Sequence, residues 1–300
     1  MNEINSSSLF HFTRSLDIIK KIIINGLRYS FAFEQLPKKI ISSYLYTDLD
    51  IKDESAISNG VAIPMISFCD IPITRASQHI EKYGQYMIGF DKVNFTKAFA
   101  TLINPVIYVH SPNLQDAITE FGTEYKKANN ELHKILTTKA AQKKYANKTS
   151  QELLNNKDFI TKVDPFLQKQ FLSNFLVGLV KPIEDETHYY YDEREWRLFL
   201  PEKTNDIGWI WSITKEEYEQ NKNDWNEDLE NHKNTFIKIP WKYYNEYITH
   251  IVVSKEEEID QLIQLIMTSD KILGFENNND YSRMKLISKI TSFERIEKDF

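Results

Sequence analysis

Apolar residues recur at two different periods along the chain, and the changes of period mark its elements. "LFHFT" (9–13) is short, aromatic and β-prone, and predicts a first strand. In the "RSLDIIKKIIINGL" that follows, Leu16, Ile19, Ile22 and Ile23 recur at helical spacing. Gly26 stands where such a helix closes in a left-handed turn. Residues 34–60 read as an exposed, partly charged connection, with "DLDIKDES" as a solvated loop. "VAIPMISFCDIP" (61–72), bounded by Pro64 and Pro72, "YMIGF" (86–90) and "NPVIYVH" (104–110) read as further strands. From 113 to 180 the period turns helical, in "NELHKILTTKAAQKKYA" and "KVDPFLQKQFLSNFLVGLV". Strands return with "EWRLFL", "GWIWSIT", "TFIKIP" and "YITHIVVS". Ser254 and Glu257 then have capping-box spacing before a helix that buries Ile259, Leu262, Ile263 and Ile266. "KLISKI" and "FERIE" read as a last strand. This order predicts one α+β domain over 1–300, with a mixed or antiparallel β core and a helical insertion at 113–180.

Composition narrows the function. A chain of 300 residues is long enough for one sizeable core. Its net charge of −6 argues against a broadly basic coat for nucleic acid. One cysteine, Cys69, excludes an internal disulfide framework and most cysteine-based zinc sites, and fits a reducing cytoplasm. The start "MNEINSSSLFHFT" lacks the basic flank and long apolar run of a secretory signal. No segment approaches the roughly 20 apolar residues of a transmembrane helix. A cytoplasmic protein without a membrane partner is the expectation. No Walker loop, GxGxxG, HExxH or zinc-spaced His/Cys cluster occurs, so no metal is expected.

The densest chemistry lies in "YYYDEREWRLFLP" (189–201). Read as a strand, it puts Glu193, Glu195 and Arg197 on one face. Arg194, Trp196 and Leu198 take the other, with Trp196 as a buried anchor. Two carboxylates on one face can stabilise an oxocarbenium-like centre or deprotonate a nucleophile. The same residues also suit a salt-bridged ladder. His11, next to Thr13 and Arg14, is either a core histidine or a donor at a strand end. Ser67 and Cys69 share a face opposite Phe68 and Asp70. Cys69 reads as a small buried hydrophobe and Asp70 as a turn cap. His79 and Tyr83, four apart, share a helical face.

"LFHFT…IIINGL", "VAIPMISFCDIPITRASQH…YGQYMIGF", "NPVIYVH" and "YYYDEREWRLFLP" resemble the AbiGi family of bacterial abortive-infection proteins, and "IVVSKEEEIDQLI" extends the likeness. That resemblance implies antiphage defence and an antitoxin label. A more distant resemblance links the histidine of "FHFT", the "NGL" after the first helix and the late glutamate to DarT-type ADP-ribosyltransferases. It implies an ADP-ribosyltransferase-like fold that takes NAD as substrate. Glu195 and Glu193 are then the catalytic candidates. His11, Thr13, Ser67, Tyr83 and Arg197 are the NAD-binding candidates, and the acceptor is a protein or a nucleic acid. "ISF" offers one serine where those folds carry an STS-type strand. The competing reading is a non-enzymatic antitoxin that binds a toxin partner. The transferase reading requires His11, Ser67, Tyr83 and Glu195 to line one cleft. The antitoxin reading requires an exposed apolar patch and the charges of "DEREWR" paired internally.

Overall fold

The computed structural model describes residues 6–44, 57–145, 148, 152–153, 155–184, 189–200, 208–232, 235–276 and 279–299. β1 (Ser8–Thr13) leads into α1 (Leu16–Asn25), which Ser15 opens by accepting the Ile18 amide. Ile19, Ile22 and Ile23 form its buried stripe, and Gly26 ends it at φ +90°. β2 (Leu27–Arg28), β3 (Ser30–Gln35) and α2 (Lys38–Tyr44) follow. The expected exposed connection therefore fails at its start, because α2 buries Ile40, Ile41 and Tyr44. Its seven residues are too few to show a period. "DLDIKDES" lies outside the described residues.

Next come β4 (Gly60–Cys69), α3 (Ser77–Tyr83), β5 (Tyr86–Asp91) and α4 (Lys92–Ala98). "NPVIYVH" divides at Val106 into β6 (Ile103–Pro105) and β7 (Ile107–Val109), which pair in different sheets. α5 (Pro112–Thr137), α6 (Lys139–Tyr145) and α7 (Lys157–Leu179) occupy the stretch of helical period. After them run β8 (Val180–Pro182), β9 (Glu195–Phe199), β10 (Ile210–Ile213) and α8 (Lys215–Asn231). β11 (Phe236–Ile237), α9 (Tyr244–Tyr247), β12 (Ile248–Val253) and α10 (Ile259–Thr268) continue the chain. It ends with β13 (Lys271–Ile272), β14 (Phe275–Glu276), α11 (Asp280–Ile287), β15 (Ile290–Ser292) and α12 (Phe293–Asp299).

Two expectations near the C-terminus change. Ser254 donates to Gln85 instead of capping with Glu257. Glu258 instead accepts the Lys255 amide at 2.9 Å, and α10 starts one turn later than the spacing suggests. "FERIE" belongs to helix α12, leaving only Ile290–Ser292 extended.

The fold is α+β. Its main sheet is mixed and nine-stranded, in the order β15–β12–β5–β1–β4–β9–β6, with β3 and β10 also on β4. Among the described residues, only β12 and β15 run parallel within it. β4 is the spine. β3 and β10 both pair with its first residues, so they hold opposite edges. β9 and β1 both reach Cys69, so they too hold opposite edges. Alternation along β4 then divides the core. Ala62, Ile66 and Phe68 join the larger apolar cluster with α1, α4, α8 and α10. Val61, Ile63 and Met65 join a second cluster with α2, α5 and α7. Cys69 meets a third, with Phe10, Ile80 of α3 and Phe293 of α12. Each fully buried side chain of this kind contributes roughly 1.5–3 kcal/mol.

Gly122 fixes how closely the helical block approaches. A β-carbon there would stand 2.0 Å from Ser43 Oγ and 2.6 Å from the Tyr44 ring, so α5 lies on α2 only because residue 122 has none.

Candidate functional site

Between the second and third apolar clusters, one face of the sheet carries charge instead of hydrocarbon. β4 and β9 pair in register, Ser67 with Arg197 and Cys69 with Glu195, so all four side chains share that face. Glu34 of β3 pairs with Val61 and reaches the same face. Arg197, at 0% exposure, is the hub. Its Nε donates to Glu195 Oε1 at 2.8 Å, and its Nη2 reaches Glu195 Oε2 at 3.2 Å and Glu34 Oε1 at 2.7 Å. Nη1 donates to the Gly178 carbonyl at 3.1 Å and the Val180 carbonyl at 3.4 Å, which ties the end of α7 to the sheet.

Lys181, in β8, bridges the two glutamates at 2.7 Å to Glu193 Oε2 and 2.8 Å to Glu195 Oε2. Its ammonium also lies 4.6 Å from the centre of the Tyr190 ring. Glu193 Oε1 accepts from Lys82 Nζ at 2.7 Å and from the Tyr83 hydroxyl at 2.6 Å. Ser67 Oγ donates to Glu195 Oε1 at 2.7 Å, and the Glu195 amide donates to the Tyr108 hydroxyl at 2.8 Å. Every carboxylate oxygen of Glu193 and Glu195 is thus engaged, and both residues are buried.

The electrostatics follow from this pairing. Burial opposes ionisation of Glu195, but Arg197 and Lys181 outweigh it and hold its carboxyl well below the usual range. Burial also opposes ionisation of Glu193. Lys181, Lys82 and Tyr83 still bring it down to about 2. A carboxylate so strongly held is a weak base toward the Ser67 hydroxyl. Burial, with the two glutamates nearby, pushes the Cys69 thiol up, which keeps it protonated and inert.

The path from sequence to this site needs one correction. Glu193 is not on the strand. Residues Tyr190–Glu193 form a 3₁₀ turn, Arg194 takes a left-handed conformation at φ 45°, and β9 begins at Glu195. Glu193 reaches Glu195 through Lys181 and not through alternation. Trp196 is half-buried on the opposite face, with Lys92 Nζ 5.6 Å from its ring centre. Asp70 pairs with Lys92 and accepts the Ser6 amide at 3.2 Å, beyond the simple turn cap its position suggests.

His11 stands apart from the glutamates. Phe10 pairs with Cys69, so alternation places His11 and Thr13 on the face of Phe68, opposite Glu195. His11 Nδ1 donates to the Ser67 carbonyl at 2.9 Å, and its ring lies 5.8 Å from that of Phe68. Burial lowers the His11 pKa, against that hydrogen bond, so the ring is neutral near pH 7. The Thr13 hydroxyl is buried with no partner among the described residues. Ser67 is the hinge of the arrangement, with its hydroxyl on Glu195 and its carbonyl on His11.

Sequence reading missed Lys181, Lys82, Tyr108 and Glu34. Lys181 had a signal, a single charge ending the apolar run "FLVGLVKP", and Glu34 another, in "FAFEQL". Among the described residues no group of three or more His, Cys, Asp or Glu side chains is placed to hold a metal ion. None of their helices is long and apolar enough to cross a membrane.

Residues 36–254 match the family described as "Putative abortive phage resistance protein AbiGi, antitoxin". The chain belongs to the AbiGi family. The AbiGi match spans Ser67, Tyr83, Lys181, Glu193, Glu195 and Arg197, while His11, Thr13 and Glu34 precede it. Its description names an antitoxin and no ADP-ribosyltransferase. No curated protein and no solved structure matches the chain.

Proposed function

We propose that the chain is the antitoxin of a phage-resistance pair and works by binding a toxin partner. The charge lattice holds the sheet and the helical block together as one binding body. One observation carries this reading: all four carboxylate oxygens of Glu193 and Glu195 are taken up by neighbouring side chains in a buried setting. An antitoxin of this kind needs no free acid or base. Its family description and the full pairing of Glu193 and Glu195 point the same way. The test is co-expression with a candidate toxin. Wild type and a Glu195→Gln variant that still folds should both restore growth and co-purify with the toxin. Loss of neutralisation in the folded variant, together with NAD consumption by wild type, would overturn the reading.

A second reading has one observation in its favour. β1 leaves β4 after a single paired position, and His11 stands at that fork, bonded to the same serine that binds Glu195. An ADP-ribosyltransferase-like effector would place NAD there, with Glu195 and Glu193 as catalytic groups. His11, Thr13, Ser67, Tyr83 and Arg197 would be its binding groups. In that case wild type consumes NAD and His11→Ala and Glu195→Gln do not.

A further inference from the structure

The helical block differs in charge from the rest of the chain. Between residues 113 and 180 stand ten lysines, no arginine and seven carboxylates, a surplus of three positive charges in a chain of net charge −6, and all three of the carboxylates before residue 126 lie on the first half of α5. Some of these lysines are matched, as in Lys127–Glu124, Lys134–Glu131 and Lys144–Asp158. Lys139, Lys143, Lys157 and Lys162 are exposed and form no ion pair among the described residues. They cluster around α6 and the start of α7.

The same helices also expose hydrocarbon, with Leu136 three residues before Lys139 and Leu172 roughly 15 Å along α7 from Lys162. α5 and α7 lie side by side, with Ser173 Oγ donating to the Phe121 carbonyl at 3.2 Å and Lys169 3.6 Å from Glu124. Phe121 is 52% exposed and Leu172 is 61% exposed, one on each side of that Ser173 contact. Leu114, seven residues before Phe121 on α5, is also exposed. The inner stripe of α5, Ile118, Gly122, Tyr125 and Ala128, is already spent on the core. The outer apolar residues remain largely exposed among the described residues.

We propose that the outer surface of α5, α6 and α7 docks an acidic, amphipathic segment of a partner protein. The proposal rests on the antitoxin reading and names the surface it uses. Charge complementarity selects an acidic partner, and the unmatched lysines accelerate and orient its approach. Leu114, Leu136 and Leu172 favour a protein over a nucleic acid, because aliphatic anchors suit apolar side chains, whereas a ring such as Phe121 could also stack a base.

The test is fluorescence anisotropy of the full chain with a labelled synthetic helix, leucine on one face and glutamate on the other. The same helix with lysine for glutamate and a single-stranded oligonucleotide of equal charge serve as comparisons. The acidic helix should bind most tightly. The pair Phe121→Glu and Leu172→Glu should weaken it about tenfold or more, at unchanged melting temperature. Charge reversal of Lys139, Lys143, Lys157 and Lys162 should weaken it comparably and remove its salt dependence. Absence of binding, variants that bind like wild type, or tighter binding of the oligonucleotide would each overturn the proposal. Neutralisation of the toxin separates the two claims. If wild type neutralises and the Phe121/Leu172 variant still does so fully, this surface is wrong and the antitoxin reading stands. If wild type neutralises nothing, the antitoxin reading falls.

Discussion

The face of β9 and the outer face of the helical block use charge in opposite ways. Around Arg197 the charges of Glu34, Lys181, Glu193 and Glu195 are buried and answered by neighbours, with Lys82 alone of the group reaching the surface. Around α6 the lysines are exposed, several form no ion pair among the described residues, and the same helices also expose apolar side chains. A closed group resists change and carries stability. An open one tolerates substitution and can carry recognition. The acid-rich run that draws attention in the sequence belongs to the first kind, and the plain lysine-rich helices belong to the second.

The largest effect should come from opening the closed group. Arg197→Leu leaves Glu195 and Glu34 buried without their guanidinium, and urea denaturation should show a loss of about 3–5 kcal/mol. A loss under about 1 kcal/mol would mean that water or a rearranged lysine replaces the arginine, and the contrast would fail.

Acid should act on the same group with a definite sign. Glu193 titrates lower in the folded chain than in the unfolded one, from 4.5 to about 2. The unfolded chain therefore takes up protons first as pH falls. The stabilisation is complete above the ordinary glutamate range and is lost as pH drops toward about 2, a contribution on the order of 3 kcal/mol. Denaturation midpoints measured across that window should flatten in Glu193→Gln relative to wild type. Equal slopes would remove Glu193 from the account.

Ser67→Ala deletes one hydroxyl donor to an already well-paired carboxylate and should cost about 1 kcal/mol in the same assay. At the open face, Lys139→Glu and Lys143→Glu should each stay within about 0.5 kcal/mol of wild type in thermal unfolding. A larger loss at either lysine would show that the helical block, too, is held by its charges.

Much of the fold was legible because its main elements follow one period each. α1 shows its stripe plainly, and β4, β5 and β12 are apolar runs of strand length. α2 was hidden by its shortness. α8 was hidden by its polarity, since Leu229 is its only buried residue and the Thr214–Glu217 capping box is its clearest mark. The end of the chain misled because "KLISKI" straddles a helix and a strand of three residues. Of the site, the shared face of Glu195 and Arg197 was legible, since alternation alone fixes it. Glu193 joined them for a different reason, a left-handed residue that no period reveals. Lys181 comes from a three-residue strand that pairs with β7 outside the main sheet, and Glu34 from a strand placed by its register on β4, and no local period reveals either. His11 shows the limit most clearly, because its face depends on the register of a single pair, Phe10 with Cys69.

The spine strand also has a history during synthesis. One edge of β4 is covered by β3, made some thirty residues earlier, so a hairpin-like pair can form at once. The other edge waits for β9 and β10, which leave the ribosome only after the whole helical block. Until then the apolar run Val61–Phe68 presents an open, sticky border, the kind that recruits chaperones or a second nascent chain. A chain cut before Glu195 should accordingly pellet on expression, while the full chain, in which β9 and β10 close that border, should pellet far less.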